Sequence, residues 1–186
     1  MEKIHRFNNV ITDGLSCILL GDLHALKRFQ EENGLPANLQ TPFTSSDHGD
    51  NVVDCGAMAY LTLEAFSPLI FGTGYTVYFN FSEKSVFRTS SESEILHDVS
   101  GNLLHVVSGK IHMYGWSCLD NFSPEKIAQS QQFPSVACDN GYYDVQVISG
   151  YLDGWAAFEF ILKPSARKKV GGDIGELADY VFSFSD

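Results

Sequence analysis

The segment 45–51, SSDHGDN, sets Asp47, His48 and Asp50 side by side. Carboxylates and an imidazole can ligate a divalent cation, and a bound cation can activate water for hydrolysis. A complete metal site needs more ligands than these three, and outer partners to orient them. The expectation here is a solvated loop, with a small metal-dependent hydrolase as the alternative. Ser123 stands three residues before Lys126 in SPEK, the S-x-x-K spacing of penicillin-recognising acyl enzymes. The accompanying S-D-N and K-T-G elements are absent, and a helix N-cap accounts for Ser123. The glycines of FGTGY do not open a helix, so they form a strand break rather than a phosphate cradle. Of the histidines His5, His24, His48, His97, His105 and His112, only His48 sits in a strongly polar setting. No catalytic residue, metal ligand or cofactor site is assigned, and the chain is read as a non-enzyme.

The cysteines are Cys17, Cys55, Cys118 and Cys138, with no C-x-x-C pair. Zinc and dithiol redox spacings are therefore missing. The N-terminal MEKIHRFNNVITDG lacks an apolar stretch of signal-peptide length. No apolar run approaches the roughly 20 residues that span a bilayer. The expectation is a cytoplasmic protein with reduced, mostly buried thiols.

Charge is the most informative bulk property. The chain carries 12 Lys and Arg against 23 Asp and Glu, a formal net charge of −11. That field repels phosphate backbones and argues against direct nucleic-acid binding. It favours encounter with a basic protein. The carboxylates placed in loops or on polar strand faces are Asp47, Asp50, Glu92, Glu94, Asp98, Asp120, Asp139, Asp144 and Asp153. With Trp155 they are the proposed partner-binding residues. Trp116 and Trp155 each suit either the core or an interface anchor. Arg167, Lys168 and Lys169 form a basic cluster too short to offset the whole.

These residues need elements to position them. Alternation around Cys17 predicts a strand. Asp22 is placed to cap a helix over LHALKRFQEEN, with Gly34 at its left-handed end and Pro36 as a stop. GLPANLQTPFTSSDHGDN reads as a polar loop. VVDCGAMAYLTLEAF follows as a strand after a glycine turn, broken by SPLIFGTG. In YTVYFNFS, residues Tyr75, Val77, Phe79 and Phe81 share one face. Residues 85–101 are Ser- and Glu-rich and read as a linker. LLHVVSGKIHMYGWSCLD then gives strand, turn and strand. Ser123 and Pro124 start a short helix. YYDVQVIS presents Tyr143, Val145 and Val147 on one side. LDG turns the chain as a hairpin, and WAAFEFILK presents Ala156, Phe158, Phe160 and Leu162. GELADYVF is a helical turn or a strand that packs on the body.

The order repeats. VITDGLSCILLGDL matches HVVSGKIHMYGWSCLDNF, VVDCGAMAYLTLEAF matches VACDNGYYDVQVISG, and GYTVYFNFS matches GWAAFEFIL. The expected fold is mainly β within the α+β class. It comprises two similar β-rich lobes, each strand–helix–strand–strand, packed together with few short helices. The halves are 1–84 and 102–186, joined by 85–101 in what can be one compact domain.

The stretch from Phe7 through VITDGLSCILLGDLHALKRF, with the DNGYYDVQV hairpin, resembles small acidic β-rich bacterial proteins. Those look like immunity proteins encoded beside contact-dependent or type VI-delivered toxins. The resemblance implies a protein that binds and blocks one cognate toxin, without catalysis of its own. It brings no active-site residues. The expected partner is a basic effector met by a monomer or homodimer, with no nucleic acid, membrane or cofactor. A self-associating β scaffold is a further alternative.

Overall fold

The computed structural model describes residues 3–10, 17–64, 74–172 and 174–184. The fold is mainly β, of the α+β class. Its strands are β1 (Ile4–Val10), β2 (Cys17–Gly21), β3 (Ala59–Leu63), β4 (Tyr75–Asn80), β5 (Ser93–Val106), β6 (Lys110–Tyr114), β7 (Ser135–Ala137), β8 (Gly141–Leu152), β9 (Trp155–Pro164) and β10 (Val181–Phe182). The helices are α1 (Leu23–Glu32), α2 (Gln40–Ser45), α3 (His48–Asp54), α4 (Val86–Thr89), α5 (Pro124–Gln129) and α6 (Ile174–Asp179). A 3-10 turn covers Trp116–Leu119.

The strands form two five-stranded sheets, ordered β1-β4-β9-β8-β5 and β10-β3-β2-β6-β7. Pairing is antiparallel except at β4–β9 and β10–β3. Alternation along the central strands decides which side chains are buried together. Tyr75, Val77 and Phe79 of β4, Val145 and Val147 of β8, and Phe158, Phe160 and Leu162 of β9 all face the second sheet. There they meet Ile18, Leu20, Leu61, Ile111 and Met113 in one shared core. The outer face of the second sheet carries Cys17, Leu19 and Tyr114, covered by Leu23 and Leu26 of α1, Phe43 of α2 and Val52 and Val53 of α3. The outer face of the first sheet is also covered, because Phe87 of α4 lies on Tyr78, Ile148, Leu152 and Ala157.

Both sheets draw strands from both sides of residue 85. β1 and β4 join β5, β8 and β9, while β2 and β3 join β6, β7 and β10. The order strand–strand–helix–strand–strand recurs, and so do its pairings: β1 with β4 and β2 with β3, then β5 with β8 and β6 with β7. β2 and β6 meet antiparallel at the junction. In this layout β8 is the counterpart of β4, and β9 is an added strand between them, whereas the sequence pairs GYTVYFNFS with GWAAFEFIL.

Several local expectations match the structure. Asp22 caps α1, Ser123 caps α5, and Gly34 follows α1 at φ 62. Asp153 and Gly154 have φ 50 and 80, the left-handed pair that a two-residue hairpin requires. Others differ. The polar loop after Pro36 contains α2 and α3, and α3 extends through Val52–Asp54, where the sequence suggests a strand. These helices are too short to show a period, and they form because Phe43, Val52 and Val53 are buried against the sheet. The helices pass so closely that a Cβ on Gly49 would lie 2.2 Å from the Phe43 carbonyl. Residues 85–101 hold α4 and the start of β5. GELADYVF is both helix and strand, divided between α6 and β10. β1 has no counterpart in the sequence expectation. The strand break SPLIFGTG lies outside the described residues except for Gly74.

Candidate functional site

The hairpin between β8 and β9 places one tryptophan at the end of the first sheet. Trp155 is 58% exposed and pairs across the turn with Leu152. The start of β5 runs alongside: Ser93 pairs with Leu152, Glu94 with Tyr151 and Ile95 with Gly150. The Asp153 amide donates to the Glu92 carbonyl at 2.9 Å, tying the turn to the edge strand. Glu92, Glu94, Asp153 and Trp155 therefore share one rim, although they come from two segments of the chain. Ile95, 41% exposed, joins them. It lies opposite Gly150, where an added Cβ would sit 2.0 Å from the Glu94 carbonyl. Among the described residues, none of the three carboxylates has a salt bridge.

Pleating sets the direction of each side chain. Trp155 shares the outer face with Ala157 and Glu159, and Glu94 shares the inner face with Tyr151. Trp155 and Glu94 thus flank the rim from opposite faces. Arg6 lies over the Tyr78 ring, 5.8 Å from its centroid. Burial pushes the Tyr78 phenol upward. The Arg6 guanidinium pulls it back, while the Asp153 and Glu159 carboxylates add to the rise.

The remaining acidic positions are dispersed. Asp98 is bound by Arg88 and by the Gln146 amide, and Asp144 by Arg167. Each of these carboxylates therefore already has a cation within the fold. Asp120 accepts from Asn38 at 3.0 Å. Asp139 lies in the turn before β8, where its carbonyl accepts from the Tyr143 hydroxyl. Asp47 and Asp50 are exposed at the start of α3. His48 lies edge-on to Phe29 at 6.3 Å. Among the described residues, no three His, Cys, Asp or Glu side chains are grouped so as to hold a metal ion.

Asp50 borders a second feature, a cleft of about 480 Å³ between α2, α3, α6, β3 and the 3-10 turn. Its walls are Phe43, Val53, Met58, Tyr60, Trp116 and Val181, with Asp50 and Asp179 as its carboxylates. Tyr60 and Trp116 meet edge to face at 5.6 Å. The sequence marks Asp50 and Trp116 but not Tyr60, Phe43 or Asp179. These come from distant segments, so no local pattern joins them. Ile95 carries no sequence signal either, because it falls in 85–101, which reads as a linker rather than as a strand.

All four cysteines are thiols, with Cys17 and Cys138 buried. Burial pushes the Cys138 thiol up to about 11, with the Asp22 carboxylate adding to the rise, so it is not a nucleophile near neutrality. No helix among the described residues is long and apolar enough to cross a membrane.

No protein-family model and no curated protein matches the chain. Among solved structures it is similar to ComJ of Bacillus subtilis, described as an inhibitor of the DNA-degrading activity of NucA. The identity is 13%, over 88% of this chain and 96% of that one, with a TM-score of 0.42.

Proposed function

We propose that this chain is a non-catalytic immunity protein that binds and occludes a basic toxin effector through an acidic surface. The observation that carries this reading is the β8–β9 rim, where an exposed Trp155 stands beside Glu92, Glu94 and Asp153. A large exposed aromatic at a polar rim is the usual anatomy of an interface anchor. Carboxylates on the same rim, without a salt bridge among the described residues, attract a basic partner over a longer range than contact. An effector that acts on nucleic acid needs a positive cleft, and an acidic rim is a chemical match for one. The proposed setting is the bacterial cytoplasm, beside a polymorphic or type VI toxin, where the four thiols stay reduced. Asp98 and Asp144, already bound by arginines, are expected to contribute least. Asp47, Asp50, Asp120 and Asp139 lie on other parts of the surface and are secondary positions in this reading. The halves 1–84 and 102–186 are taken as repeats, supported by the recurring strand order and pairings.

The test begins with affinity capture of the partner from the source bacterium. Its association rate is then measured against the native chain and against Glu92→Lys/Glu94→Lys/Asp153→Lys. The charge-reversed chain should associate about tenfold or more slowly at low salt, and the gap should narrow as salt rises. Equal rates for the two chains would remove the electrostatic mechanism.

A further inference from the structure

The cleft bordered by Asp50 and Asp179 is lined by none of the rim residues, and its chemistry differs from that of a flat interface. Its volume, about 480 Å³, falls in the range of small-ligand sites. Phe43, Tyr60 and Trp116 supply three aromatic walls, and Val181, 46% exposed, supplies an open aliphatic one. Among the described residues its lining contains two carboxylates and no lysine or arginine. Among the described residues neither carboxylate is in a salt bridge.

These features restrict the occupant. An anion meets two like charges and a protein of net charge −11. A bare metal ion gains nothing from aromatic and aliphatic walls. A neutral apolar molecule fills the walls but leaves the carboxylates partly desolvated and unmatched. A cation on an apolar body satisfies both, through ring faces and through charge. We infer that the cleft is a binding site for an organic cation of the alkylammonium or guanidinium class. Phe43, Tyr60 and Trp116 hold the apolar body, and Asp50 and Asp179 face the charge. The same chemistry is offered by a free amine and by a lysine or arginine side chain of a protein. The inference is independent of the partner proposed for the rim.

The chain has two tryptophans, so Trp155→Phe leaves Trp116 as the sole indole and a direct reporter of the cleft. This variant is titrated with benzyltrimethylammonium, with benzyl alcohol as its neutral counterpart, and with a capped Leu-Arg-Leu peptide. Calorimetry on the unmodified chain repeats each titration. Saturable binding of a cation is expected, at least about tenfold tighter than benzyl alcohol. Asp50→Asn and Asp179→Asn, both at exposed positions, should each weaken it about threefold or more, with unchanged thermal melts. Tighter binding of the peptide assigns the cation to a protein side chain, and tighter binding of the ammonium assigns it to a free ligand. Equal binding of benzyl alcohol, or no saturable response to either cation, overturns the inference.

Discussion

Asp22 joins two parts of the chain that lie far apart in sequence. Its carboxylate accepts from the His24 and Ala25 amides at the start of α1. It also accepts from the Val107 and Ser108 amides and the Ser108 hydroxyl in the turn between β5 and β6. Burial pushes this carboxyl upward, but the hydrogen bonds from Ser108, Val107 and His24 outweigh it and hold the group below its ordinary value. Asp22→Ala removes the cap and leaves buried amides without a partner, so urea unfolding should show a loss of about 3 kcal/mol. A loss below about 1 kcal/mol would show that water replaces the carboxylate. Only half of this role is legible in sequence. The cap follows from a local rule, whereas the bond to Val107 depends on the sheet. His112 gives the pH counterpart. It is buried, its Nδ1 has no hydrogen-bond partner among the described residues, and burial, aided by Lys110, lowers it to about 4 from an ordinary 6.5. Between those values the unfolded chain binds the proton and the folded chain does not, so stability falls as pH drops from 6.5 towards 4. Below that, Asp22 continues the loss, since its stabilisation is present above the ordinary carboxylate value and disappears as pH falls through the lowered one. His112→Gln should flatten the dependence of the unfolding midpoint between pH 6.5 and 4. His105, also lowered by burial, supplies a residual slope. A slope identical to that of the native chain would contradict this assignment.

Helix α4 is the element whose position least resembles the sequence expectation. Only four residues long, it has little intrinsic stability. It is held by one buried carboxylate. Glu159 on β9 accepts from the Asn80 amide at 2.6 Å, the Ser85 hydroxyl at 2.7 Å and the Val86 amide at 2.8 Å. Phe87, fully buried, then seals the outer face of the first sheet. Glu159→Ala should release this strap. Hydrogen exchange across 83–91 should accelerate by about tenfold or more, while β8 keeps its protection. Unchanged exchange there would mean that Phe87 alone holds the helix. The contrast with β4, β8 and β9 shows what sequence can reveal. Their alternating apolar residues mark the core face directly. The outer face of β4 looks half-polar in sequence, and Tyr78 is buried there because α4 returns across it and Arg6 lies over its ring. Likewise β1 is an edge strand whose exposed residues carry no strong pattern, and it is defined by its pairing with β4.

At the scale of the whole molecule, net charge is legible in composition, but its arrangement is not. The fold pairs Asp98 with Arg88 and Asp144 with Arg167, whereas among the described residues Glu92, Glu94 and Asp153, on the rim with Trp155, have no salt bridge. The resulting rim depends on the pairing of β5 with β8, which brings two acidic segments to the same end of one sheet. Strands from both sides of residue 85 enter both sheets, and the rim is anchored to them through β5 and β8. Occlusion of a basic effector makes a demand that binding alone does not, because the partner's activity must stop. The most direct measurement is therefore a titration of the captured partner's toxic activity, as it acts on its own substrate. The native chain is compared with Glu92→Lys/Glu94→Lys/Asp153→Lys/Trp155→Ala. The account predicts complete loss of activity at one equivalent of the native chain, and about a hundredfold more of the variant for the same effect. Full activity in the saturated native complex, or equal inhibition by the two chains, would contradict it.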